Sequence, residues 1–97
     1  MKPVIFSAKA EDDLEEIADY IAVDSPRRAL SFIHKLREQC QKLELFPESF
    51  RRFPELGPEA RIMPYKKYVV LYRVLNDAVS IERVLHGARD ILALLGE

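Results

Sequence analysis

The sequence predicts an α+β fold of order β-α-α-β-β-β, followed by a short C-terminal tail helix. Three observations predict it. Two amphipathic helical stripes lie on either side of a "DSP" break at 24–26. Three strand-like runs follow residue 60, the last two joined at Asn76-Asp77. A short apolar run, "PVIF" (3–6), stands before the first helix. An N-terminal strand and a helix hairpin packed on a largely antiparallel sheet would bury all of these apolar faces in one core.

The ends of the helices are as informative as their stripes. Ser7 is placed to cap the first, with Glu11, Asp12 and Asp13 in its early turns, where carboxylates suit the positive end of the helix dipole. Leu14, Ile17, Ala18 and Ile21 recur at helical spacing on one face. Asp12, Asp13, Glu15, Glu16 and Asp19 fall opposite, as a solvated face. No His or Cys joins this acidic run, so it is not expected to hold a metal. In "DSP", Ser25 is an N-cap and Pro26 takes the first helical position, where the N–H it lacks has no helical partner anyway. Ala29, Phe32, Ile33, Leu36, Cys40 and Leu43 form the second stripe, with His34 off it and exposed. Pro47 ends the helix, and the short break makes the pair an antiparallel hairpin.

Residues 47–59, "PESFRRFPELGPE", hold three prolines and the first glycine, and read as an ordered loop pinned by Phe50, Phe53 and Leu56. "ARIMP" (60–64), "KYVVLYRVL" (67–75) and "AVSIERVLH" (78–86) read as strands. With Leu75 paired to Ala78 across a two-residue turn, Val74 faces Val79, Tyr72 faces Ile81, Val70 faces Arg83 and Tyr68 faces Leu85. That face is expected on the helix hairpin. The other carries Lys67, Val69, Leu71 and Arg73 opposite His86, Val84, Glu82 and Ser80. Nothing left in the chain is long enough to cover all of it, and an open, half-apolar face is a binding surface. The tail "ARDILALLGE" (88–97) is amphipathic, and Ile91, Leu92, Leu94 and Leu95 should pack on the body or on a partner.

A chain of 97 residues makes one small domain, and its apolar and charged fractions (48% and 32%) are those of a globular protein. Net charge is −1, but the sign is segregated: residues 1–50 hold seven Lys/Arg against ten Asp/Glu, and residues 51–97 hold eight against six. The basic excess gathers in Arg51, Arg52, Arg61, Lys66, Lys67 and Arg73. With a pI of about 6.1, this reads as a solvated loop and strand edge rather than a nucleic-acid footprint. Cys40 is alone, which excludes an internal disulfide, and its place on the second stripe makes it a core residue. No segment has the pattern of a signal peptide or the ~20 apolar residues of a membrane span, so a cytoplasmic protein is expected.

The stretches "SAKAEDDLEEIADYIAVDSPRRALSFI" (7–33), "PELG" (54–57), "ARIMPYKKYVVLYRV" (60–74) and "RVLHGARDI" (83–91), in this order and spacing, resemble the RelE/ParE superfamily of bacterial toxins from type II toxin–antitoxin systems. "YRV" followed by "RVLHGARD" is similar to the ParE branch in particular. The resemblance implies one ParE-like toxin domain over 1–97 with the RelE/ParE fold. It also implies inhibition of DNA gyrase, a block to replication and growth, and neutralisation by a ParD-like antitoxin whose C-terminal segment wraps on the toxin. No cofactor, metal, membrane or sequence-specific nucleic acid is expected for the toxin alone. The RelE branch implies a different activity, ribosome-dependent cleavage of mRNA.

Cleaving RNA needs a base for the 2′-hydroxyl, an acid for the leaving oxygen and cations on the phosphate. Arg61, Arg83 and His86 are the set this sequence offers for that alternative, with Arg73 and Arg89 as further cations and Tyr65 and Tyr68 as stacking platforms. The resemblance counts against it. RelE-type sites carry a tyrosine or similar group after the last strand, where this chain has Gly87 and Ala88. They carry lysines before the meander, where it has Arg51 and Arg52. Arginine is a poor proton donor at neutral pH. The bland reading has the His86 ring hydrogen-bonded to backbone, and Arg83 and Asp90 in a local ion pair or backbone contact that anchors the tail. Without a catalytic set, the expectation is a protein that docks. Arg61, Val69, Leu71, Arg73, Val84, Ile91, Leu94 and Leu95 are the expected antitoxin contacts, and Arg51, Arg52, Lys66, Lys67 and Arg89 the candidate contacts to the target.

Overall fold

The computed structural model describes residues 2–95, with the side chains of Ala88, Arg89, Leu92 and Leu95 outside the description. Strand β1 (Val4–Phe6) leads into helices α1 (Ala8–Ala22) and α2 (Pro26–Gln41). Strands β2 (Ala60–Tyr65), β3 (Tyr68–Val74) and β4 (Val79–Leu85) follow, and residues Gly87–Leu95 are helical (α3). The four strands form one mixed sheet in the order β1-β4-β3-β2, with β1 parallel to β4 and the other pairs antiparallel.

Both predicted caps are in place: Ser7 accepts from the Ala10 amide and Ser25 from the Arg28 amide. Ser7 also ties α1 to the sheet. Its amide donates to the Ile81 carbonyl at 2.9 Å and its hydroxyl to the Glu82 carbonyl at 2.8 Å, where β1 has just ended. The first of these continues the β1–β4 ladder by one bond, and the second satisfies a carbonyl β1 is too short to reach. Leu14, Ile17, Leu36, Cys40 and Leu43 from the helices meet Met63, Val70, Tyr72, Val79 and Ile81 from the sheet in the main core. Arg37 crosses between the helices to Glu11 through two hydrogen bonds and lies over the Phe6 ring.

The expected turn register is present, with the Leu75 amide on the Ala78 carbonyl at 2.8 Å and Val74 opposite Val79. It does not persist. A bulge between Leu71 and Tyr72 leaves Glu82 unpaired, so Val70 stands opposite Val84, Leu71 opposite Arg83 and Val69 opposite Leu85. The expected pairings of Val70 with Arg83 and Tyr68 with Leu85 are therefore corrected. The physical reason lies in the spacing: Ile81 and Val84 are three residues apart, and an extra residue must be accommodated for both to face the same core. Without it, Arg83 would point among the apolar side chains and Val84 away from them.

The loop 47–59 wraps the β2 edge. Tyr72 donates to the Pro47 carbonyl at 2.8 Å, and Arg61 to the Phe50 carbonyl at 2.7 Å and the Glu48 carbonyl at 3.4 Å, all from the core face. Residues 51–53 then pair with 60–62 along the edge, through Phe53 N–H to Ala60 and Ile62 N–H to Arg51. Residues 54–57 return to the far face, where Arg73 donates to the Leu56 carbonyl at 2.6 Å. The space a Cβ on Gly57 would need is filled by the Arg73 guanidinium, and Gly57 has a φ of 127°, so this position requires glycine.

Candidate functional site

At the end of β4, residues 13–20 of α1 and the start of α3 line a cleft of about 410 Å³. Asp13, Glu16 and Asp90 line it together with Arg83, His86 and Tyr68. Asp13 is its organising residue. It takes the Arg83 guanidinium at 2.8 and 3.1 Å and the Val84 amide at 2.9 Å, on the stretch of β4 that β1 leaves uncovered. The hydrogen bond to Asp13 raises the Arg83 pKa above its ordinary value. Asp13 was expected on a solvated face, and that reading is corrected: it is a tertiary ligand, and the partner of Arg83 is Asp13 rather than Asp90. Asp90 makes the other expected contact, to backbone: it accepts from the His86 amide at 2.8 Å and secures the entrance to α3.

The His86 ring is exposed and stands edge-on to Tyr68, 5.2 Å between centroids. Among the described residues it makes no side-chain hydrogen bond, so the expected ring-to-backbone bond is replaced by an aromatic contact. Arg61 does not join this place. It lies on β2, across β3 from Arg83, with its guanidinium committed to the loop carbonyls. The grouping of Arg61, Arg83 and His86 offered by the sequence is thus not assembled. Among the described residues, three carboxylates line this cleft with His86 and its one arginine is already paired, a poor seat for a phosphate. Tyr65 and Tyr68 are half-buried, and both rings make T-shaped contacts with Phe32. Among the described residues no group of three His, Cys, Asp or Glu is placed to hold a metal ion.

The far face of the sheet is not open as expected. Leu71 is 5% exposed and Ile91 6%, with α3 packed against β3 at one end and the 54–57 segment held by Arg73 at the other. Val84, at 4% exposed, belongs to the main core on the opposite face. Leu71, Val84 and Ile91 are therefore covered by the chain itself. Val69 and Leu94 are half-buried. Arg73 is engaged on this face by Glu82 at 3.0 Å as well as by Leu56. The side chain of Leu95, also expected here, lies outside the described residues.

The candidate target contacts separate into two places. Arg51 and Arg52 are exposed beside the start of β2, and Lys66 and Lys67 form the exposed turn at its far end. The side chain of Arg89 lies outside the described residues. Sequence reading missed Asp13, whose signal was faint: one carboxylate among six on the same helix, with nothing local to single it out.

The model of the family described as "ParE toxin of type II toxin-antitoxin system, parDE" matches residues 4–91. A relative from Caulobacter vibrioides named Toxin RelE2 is 33% identical, over 92% of this chain and 99% of its own. Toxin ParE3 of the same organism is 28% identical, over 100% of this chain and 98% of its own. A solved structure titled "Chromosomal ParDE TA system from P. aeruginosa" superposes with a TM-score of 0.77, at 23% identity, over 90% of this chain and 97% of that one. No described helix is long and apolar enough to cross a membrane.

Proposed function

The chain belongs to the ParE toxin family of type II toxin–antitoxin systems, and from that premise we propose that it inhibits DNA gyrase in the cytoplasm by docking, without chemistry of its own. The observation that carries this reading is the disposition of the three residues a nuclease would use. His86 sits among Asp13, Glu16 and Asp90, Arg83 is neutralised by Asp13, and Arg61 is spent on the loop. Such a set has neither free cations for a phosphate nor a paired acid and base. Arg51, Arg52, Lys66 and Lys67 remain the exposed candidates for contact with the target.

A ParD-like antitoxin is the proposed neutralising partner. Val69 and Leu94 are the accessible apolar contacts for it. Leu71 and Ile91 join them only if α3 leaves the sheet, and Val84 is withdrawn because it lies in the core. Arg61 and Arg73 keep a part through the loop they hold.

Supercoiling by purified gyrase in the presence of excess protein tests the reading. Loss of supercoiling is expected, and indifference of the enzyme overturns it. The likeness to a relative named Toxin RelE2 favours one rival, ribosome-dependent mRNA cleavage with Arg61, Arg83 and His86. Translation-dependent cleavage in a cell-free system that disappears in His86→Ala would establish the rival instead.

A further inference from the structure

A second cleft, of about 440 Å³, opens between the tip of the helix hairpin and the β2–β3 turn. Tyr20, Phe32 and Tyr68 line it, with Arg28, Lys66 and Lys67 around them. The charge here is uncompensated. Arg37, Arg73 and Arg83 are each paired with a carboxylate, while Arg51 and Arg52, unpaired among the described residues, lie apart on the loop. Among the described residues none of Arg28, Lys66 and Lys67 is in a salt bridge, and the one carboxylate in the lining is Asp24. Lys66 has a φ of 55°, so a tight left-handed turn holds both lysines at this end of the sheet.

We propose that this cleft docks a short acidic segment of a partner protein, one that also carries apolar side chains. Charge complementarity requires the acid: three cations face one carboxylate in a space that admits a few side chains. The aromatic lining requires the apolar part. Tyr20 is 77% exposed and offers both a ring and a hydroxyl, as aromatic residues at protein contacts do. Tyr68 adds a second phenol able to donate to a carboxylate, and burial pushes its pKa further above the ordinary value. A nucleic acid fits less well. Phe32 engages both Tyr65 and Tyr68 in T-shaped contacts, which leaves less free ring surface for stacked bases. The exposed carboxylates of α1, Asp12, Glu15, Glu16 and Asp19, repel a polyanion that extends past the cleft.

The inference rests on the reading of the chain as a docking protein, and its test uses no gyrase, so the two fail separately. The isotopically labelled full chain is titrated with three probes. One is a short synthetic peptide of Asp, Glu, Phe and Leu, the second is the same peptide with Asn and Gln for the acids, and the third is single-stranded oligo-dT. The acidic peptide is expected to shift the backbone resonances of Tyr20, Arg28, Lys66 and Lys67 and to bind about tenfold more tightly than its neutral counterpart. Lys66→Glu with Lys67→Glu should weaken it about tenfold, and Arg28→Glu, on an exposed helical position, should do the same if the turn variant fails to fold. Equal binding of the two peptides, shifts confined to other surfaces, or unchanged affinity in the folded variants overturns the proposal. Oligo-dT moving these resonances where the acidic peptide does not makes nucleic acid the occupant and overturns it too.

Discussion

Asp13 on α1 holds Arg83 on β4, 70 residues away, through two hydrogen bonds, while the same carboxylate takes the Val84 amide. One side chain thereby pairs with the arginine that lines the same cleft as His86 and closes the part of β4 that β1 leaves bare. Removing it strands a partly buried guanidinium and a backbone N–H together. Asp13→Ala is expected to cost about 2–4 kcal/mol. Asp13→Asn, which keeps an acceptor for the amide, should cost less. Urea unfolding monitored by circular dichroism measures both, and equal losses for the two would count against the double role.

Gly57 and Arg73 form a second coupled pair. Gly57→Ala places a methyl where the Arg73 guanidinium lies and forces alanine to a φ of 127°, so destabilisation of about 2–3 kcal/mol is expected. Arg73→Met vacates the space but removes bonds to Glu82 and Leu56. The double variant should be less unstable than the sum of the singles, since the steric part of the glycine substitution vanishes with the guanidinium. A double-mutant cycle that is additive would remove this contact from the account.

Arg61 tethers the loop on the core face beside Tyr72. Arg61→Met should cost about 1–3 kcal/mol and make the 47–53 segment more sensitive to protease, without abolishing the fold. Limited proteolysis mapped by mass spectrometry reads it; a loop as resistant as in the parent would show that Phe50 and Tyr72 suffice.

His86→Ala should leave the proposed inhibition of gyrase unaltered and cost under about 1 kcal/mol, the worth of its edge-on contact with Tyr68. A fall in potency with stability retained would place His86 in the action of the toxin after all.

Two groups respond to pH in opposite ways. Burial pushes the Cys40 thiol up to about 12, so alkylation by iodoacetamide at pH 8 should be negligible until the chain is unfolded. Rapid labelling of the folded protein would contradict its place in the core. Glu11 is shifted the other way, below its ordinary value, chiefly by its hydrogen bonds to Arg37. A depressed carboxylate stabilises the fold above its unfolded pKa, and that contribution is lost as the pH falls through the folded one. With Glu11 46% exposed, solvent screening keeps it under about 1 kcal/mol. The stability gap between the parent and Glu11→Gln should therefore close in acid.

The element order, both helix caps, the helix break and the Asn76-Asp77 turn were legible in the sequence, because each is decided by residues a few positions apart. A serine before a helical stripe, a proline at its first position and a two-residue turn between apolar runs carry their meaning locally. The helical stripes likewise identified Leu14, Ile17, Leu36 and Cys40 as core. Which face Val84 and Arg83 occupy was decided by the bulge at Glu82. The only local trace of that bulge is the three-residue spacing of Ile81 and Val84, which strand alternation alone does not resolve.

The candidate site depended still more on the tertiary structure. Nothing near Asp13 in the chain marks it out from Asp12, Glu15, Glu16 and Asp19, and its role follows from β1 being too short to cover β4. The covered state of Leu71 and Ile91 follows from a loop and a helix returning to the same sheet face, a fact of long-range packing. Sequence determined what each segment becomes, through steric and hydrogen-bonding preferences that act within a few residues. Tertiary structure alone decided which charges are spent and which remain free, because burial and ion pairing join residues that the chain keeps far apart.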